Sequence, residues 1–351
     1  MSSGHTVSFA NFICKFGDDK NLLDVAESIV LPAFLNVEDL QPRSYQDTKY
    51  FFFQTQLLNL GDKKHPILAI AGRFVKDTTL RREQVFSPTL GLIKKTGKLE
   101  SSPSAIFVLL LNNHKLIYYP ETAFAPALSS FRSTAYSYIR QSQKIFVNAE
   151  FYRRKNAQDE LLARGESPGP QVTKKSIWEE YPISSLEVVP IPSEMSLADF
   201  VLRYKELASI SLKVLQTNSE LDNSQLLAAV RKTGSKLGAK NSQVTHTAVE
   251  KKGLNRDEAV VQLRAVALDG NVDVRLSGTD ASGNKLIGNN EEFRLRVYTD
   301  EVSDHIPVAA RQLNDVFREE TASNNIRVAS DANPEITAEA IYRIAQNRNL
   351  G

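Results

Sequence analysis

Apolar residues along this chain alternate in some stretches and recur at helical spacing in others. Val7, Phe9, Phe12, Ile13 and Phe16 predict a first strand over Thr6–Phe16. Leu22, Leu23, Ala26, Ile29 and Val30 then fall at helical spacing, and Pro32 is read as ending that helix. Tyr50–Leu60 and Pro66–Val75 read as strands joined by the turn Gly61–Lys64. A short strand is predicted over Val85–Ile93 and a polar loop over Lys94–Ser104. The run Ala105–Leu111, the turn Asn112–His114 and the run Leu116–Tyr119 make a buried hairpin. A helix follows it, with Leu128, Phe131, Ala135, Tyr138 and Ile139 on one face. Lys144–Tyr152 reads as a strand again, and Lys155–Gly165 as a short helix.

Glu166–Pro170 is the clearest linker, and Pro190 and Pro192 mark Ile183–Pro192 as an edge strand. Beyond it, Ser196 is a candidate cap for a helix carrying Leu197, Phe200 and Val201. Ser209–Leu215 and Gln243–Val249 read as strands, and Asn223–Lys232 as a helix. Asn255 caps a further helix, with Glu258 three residues on approximating a capping box. Val272–Leu276 and Phe293–Val297 alternate, and Val308–Phe317 and Ile336–Leu350 close the chain as helices. Consecutive hairpins with inserted helices predict an α+β fold. Its sheets are largely antiparallel, with helices packed on one face. The expected division is an N-terminal domain over 1–165, a linker and edge strand over 166–195, and a C-terminal domain over 196–351.

The 351 residues exceed one ordinary core, and 42% hydrophobic with 24% charged residues is a globular composition. No apolar run is long enough to span a bilayer, and the first residues do not resemble a signal peptide. The one cysteine, Cys14, excludes an internal disulfide framework, so a reducing, cytoplasmic setting is expected. Cys14 lies in an apolar strand pattern and reads as a packing residue.

Enzymatic motifs are absent. Thr233–Gly238 holds glycine and lysine, but not at phosphate-loop spacing. Gly-x-Ser-x-Gly is missing. The five histidines, His5, His65, His114, His246 and His305, form no metal-binding pair, and His114 and His65 read as solvated turn residues. No cofactor or metal is called for. A divalent-metal nuclease remains an alternative through Asp273 with Glu291 and Glu292, or through Glu150 with Lys155.

Charge is what separates the segments, since the whole chain is near neutral at +2. Residues 73–98 hold seven basic and two acidic residues, net +5. Residues 231–256 hold seven basic and one acidic, net +6, and 289–320 hold four basic and eight acidic, net −4. Basic loops suit phosphates, because they displace counterions without demanding exact geometry. The expected function is therefore non-catalytic binding of nucleic acid, DNA or RNA, or of a nucleoprotein. The candidate contacts are Arg81, Arg82, Arg231, Lys232, Lys236 and Lys240, with Arg153, Arg154 and Lys155 as a smaller cluster. Phe51 and Phe53 are assigned to the core rather than to base stacking. A third reading is an interaction subunit that docks a basic partner, or a second copy of the chain, through 289–320.

Overall fold

The structure is a computed structural model. It describes residues 5–222, 224–239, 241–249 and 252–350, and for Arg81 and Arg82 the backbone alone. The fold is α+β with antiparallel sheets.

In chain order the strands are β1 (His5–Phe16), β2 (Lys20–Asn21), β3 (Arg43–Tyr45), β4 (Thr48–Asn59), β5 (Leu68–Ser87), β6 (Gly91–Ser101), β7 (Ser104–Leu110), β8 (Lys115–Pro120) and β9 (Ser184–Pro190). β10 (Tyr204–Val214), β11 (Ser242–Thr247), β12 (Val272–Asp280) and β13 (Lys285–Asn289) follow, and β14 (Arg296–Thr299) is the last. Among the described residues, β10–β13 form a four-stranded sheet in the order β11-β10-β12-β13. The others form a ten-stranded sheet whose main path is β14-β1-β8-β7-β5-β4-β3. β1 pairs with β14 over residues 5–8, with β8 over 8–11 and with β9 over 10–16. Every residue of β1 from Val7 onward is buried. Such a strand cannot show the polar alternation of a surface strand.

The helices are α1 (Leu31–Leu35), α2 (Leu128–Ala163), α3 (Lys174–Glu180), α4 (Glu194–Leu202), α5 (Gln225–Lys236), α6 (Arg256–Ala267), α7 (Ile306–Ala322) and α8 (Pro334–Asn347). On the four-stranded sheet, α4, α5 and α6 cover one face, as the sequence predicts. The ten-stranded sheet carries helices on both faces. Phe12, Cys14 and Phe16 of β1 pack with α1, α2 and α8, while Val7 and Phe9, on the opposite side of the same strand, pack with α7. The sheets therefore divide the chain differently from the expected 1–165, 166–195 and 196–351. The edge strand β9 pairs with β1, and β14, α7 and α8 return to the large sheet from beyond residue 196.

Local expectations fail where short patterns compete with long elements. Lys144–Tyr152 is helical, because α2 buries Tyr138, Ile139, Ser142, Gln143 and Val147 at helical spacing straight through it. Nothing interrupts α2 until Gly165, whose φ of +75° closes the helix in the left-handed conformation that glycine adopts without strain. The helical turns predicted before Pro32 form as a 3-10 turn (Leu23–Val25) and a π turn (Ala26–Val30), and the π turn ends at Val30. Pro32 falls in the first turn of α1, where its missing N–H costs nothing, and α1 continues the helical run to Leu35. α4 is capped by Ser193, not Ser196, and Ser193 accepts the Ser196 backbone N–H at 3.2 Å. Asn255 caps α6 as expected, accepting from the Asp257 and Glu258 amides.

Phe52 is buried at the centre of an aromatic cluster with Phe34, Phe74, Phe107, Phe131 and Tyr138, at centroid distances of 5.0–5.5 Å. Phe51 packs at the margin of this core, but Phe53 is 50% exposed, correcting its assignment to the interior. Phe52→Ala is expected to lower the free energy of unfolding by about 3–5 kcal/mol in a denaturant titration, whereas Phe53→Ala changes it by less than about 1 kcal/mol.

Candidate nucleic-acid interface

β5 is the longest strand because it does two jobs. Residues 68–77 lie in the large sheet between β4 and β7. Residues 78–87 leave that sheet and pair with β6 alone, from Thr78↔Ser101 to Ser87↔Gly91. The segment expected as a strand and a polar loop is thus a two-stranded arm. At roughly 3.3 Å per residue, ten residues of strand carry its tip about 30 Å from the sheet.

The turn at the tip is specified locally. Pro88 follows Ser87, the Ser87 Oγ accepts the Leu90 N–H at 3.3 Å, and Gly91 has a φ of +69°. A short turn ending in a left-handed glycine is a common way to close a three-residue hairpin loop.

Lys94, Lys95 and Lys98 lie on the returning strand. All three are exposed and have no side-chain hydrogen bond or ion pair among the described residues. The backbone register sets Arg81 opposite Lys98 and Arg82 opposite Gly97. From Thr78 to Ser101 the arm holds five basic and two acidic residues, net +3.

The 231–240 candidates separate. α5 continues through Lys236, so Lys232 and Lys236 sit on a helix of the small-sheet unit and not on a loop. Both are exposed. Arg231 turns inward: its guanidinium binds the Asp222 carboxylate at 2.7 and 2.8 Å and the Leu215 carbonyl. A guanidinium held in this two-pronged way is a structural clamp. Lys240 lies outside the described residues. Arg154 is also engaged, bridging Glu150 at 2.6 Å and Glu180 at 2.7 Å.

The carboxylates considered for a metal do not assemble. Glu150 is held by Arg153 and Arg154, and those bonds bring its pKa down to about 2. Asp273 stands on the open face of the small sheet beside Lys213, and Glu291 pairs with Arg294. No group of three or more metal-ligating side chains occurs among the described residues. Burial pushes the Cys14 thiol up to about 12, in keeping with a packing role.

His114 overturns its reading as a solvated turn residue. It is 1% exposed, with a φ of +56°, and its Nδ1 lies 3.4 Å from Glu220 Oε1. The β7–β8 turn is covered by the segment after β10, which supplies Glu220. Beside it the buried Lys115 ammonium donates to Asn11 Oδ1 at 3.2 Å and to the Asp269 carbonyl at 3.3 Å. Asn11 donates to Asn271 Oδ1 at 2.7 Å, and Asn218 donates to the Phe12 carbonyl at 3.1 Å while accepting the Cys14 N–H. These contacts form a polar seam between the two sheets. A cleft of about 200 Å³ lies along it, lined by His114, Ser219, Glu220 and Asp331 among others. Ordinary strand and turn signals predict none of this, because each partner comes from a distant part of the chain.

Burial alone pushes the Glu220 carboxyl up. The hydrogen bond from His114 and the charges of His114 and Lys115 outweigh it, bringing the group down to about 2.

Compared with known proteins, the sequence matches no family model and no curated protein.

A carboxyl whose folded pKa lies below its unfolded value stabilises the protein above the unfolded pKa and loses that contribution as pH falls through the folded one. For Glu220 the window runs from about 4.5 down to about 2. The thermal midpoint of the wild type is expected to fall through this window more steeply than that of Glu220→Gln, measured by circular dichroism melts at stepped pH.

Proposed function

We propose that this protein is a non-catalytic nucleic-acid-binding protein and that the β5–β6 arm is its principal contact. The observation that carries the reading is the arm itself: a basic ribbon running out beyond the sheet, whose lysines Lys94, Lys95 and Lys98 are exposed and have no side-chain partner among the described residues. A two-stranded ribbon fits a nucleic-acid groove, and lysines on it neutralise phosphates on either side. Lys232 and Lys236 are a second, separate contact on α5. Arg231 is assigned to stability, since removing it strands the Asp222 carboxylate, only 6% exposed, without its cation.

Binding of this kind is recognised by its salt dependence, because each phosphate contact releases counterions. On a fluorescein-labelled duplex, K94A/K95A/K98A is expected to weaken binding at least about tenfold in low salt and to lower the slope of log K against log salt by about 2–3. Arg231→Ala is expected to leave that slope unchanged and to lower stability by about 1–3 kcal/mol. Equal slopes for the wild type and the triple-lysine variant, measured by fluorescence anisotropy, would sink the assignment to the arm.

A further inference from the structure

The arm exposes more apolar surface than contact with phosphates requires. In its register Leu80 stands opposite Leu99, and Phe86 opposite Leu92. Strand alternation puts Leu80 and Phe86 on the same side of β5. Phe86 is 70% and Leu92 71% exposed, at the end of the arm farthest from the sheet. Leu90, in the turn between them, is 72% exposed, and Pro88 is exposed beside it. Apolar groups gathered at the tip of a ribbon that packs on neither core stay largely in solvent, and their exposure marks a contact surface.

Charge selects the occupant. The apolar tip is followed directly by Lys94 and Lys95 and then Lys98, so whatever receives it must present dense negative charge around an apolar interior. Duplex DNA does this when a base step opens: the phosphates lie outside and the unstacked faces of the bases inside. A second copy docking arm against arm would bring two net positive ribbons together.

Resting on the nucleic-acid reading above, we infer that the tip is a wedge. Phe86 and Leu92 enter a base step of duplex DNA and bend the duplex, while the lysines behind them hold the phosphates. Affinity then comes mainly from the cations, and DNA shape from the apolar pair.

The test uses the full chain and a DNA duplex of about 30 base pairs carrying a donor and an acceptor dye at its ends, in about 50 mM salt. The wild type is expected to bind and to raise energy transfer. Phe86→Ser with Leu92→Ser, both at exposed positions, is expected to bind within about threefold of the wild type yet lose the rise, because the cations remain. Bending by the double-serine variant equal to that of the wild type would overturn the wedge and leave the binding assignment standing. Absence of wild-type binding would overturn both. Conversion of a wild-type dimer to a monomer by the serine pair, seen by light scattering, would also overturn the wedge, making the tip a self-association surface.

Discussion

The ammonium of Lys115 is buried where the two sheets meet, and the arrangement of both depends on satisfying it. A buried charge without partners costs several kcal/mol, and burial does pull the Lys115 pKa down, opposed by the charges of Glu220 and Asp269. Its hydrogen bonds come from both sides of the junction: Asn11 from β1, and the Asp269 carbonyl from the segment that links α6 to β12. Asn11 in turn binds Asn271. The close approach also constrains the backbone. At Gly270, with a φ of +72°, an added Cβ would lie 2.9 Å from the Asn11 Cβ, so the junction admits no side chain there.

The same junction explains why His114, in the β7–β8 turn, is buried rather than at a surface tip. His114, Glu220 and Asn218 complete a continuous set of polar contacts beside Lys115. Aromatic packing around Phe52 and the two-faced burial of β1 hold the large sheet, and the polar seam sets the small sheet against it. The arm lies outside both arrangements. It adds nothing to either core, which leaves its lysines and its apolar tip available for a partner.

Much of the architecture is legible in the sequence because burial on one face leaves a period. β4, the start of β5, β7, β8, the first half of α2 and the helices α5 to α8 all follow such periods. The arm is not legible in that way. Neither of its faces packs against either core, so Leu80, Phe86, Leu92 and Leu99 give no period that reveals which strand they pair with. The sequence marks the segment by its basic residues and by a short strand pattern over Val85–Ile93, but the pairing that makes it one ribbon is set by the register of β5 with β6. Arg231 shows the reverse. Its charge looked available, yet Asp222, nine residues earlier, takes it up once α5 has formed.

Hydrophobic periodicity by itself determined that the chain is an antiparallel α+β protein, and composition that its basic residues gather in a few segments. These are local properties, set by how often apolar and charged residues recur. The tertiary structure alone decided that the last helices return to the first sheet, that His114 is interior and that the second half of β5 stands with β6 free of the core. Each of those outcomes depends on contacts between residues far apart in the chain, made only when a buried polar group must find a partner or a strand must find its neighbour.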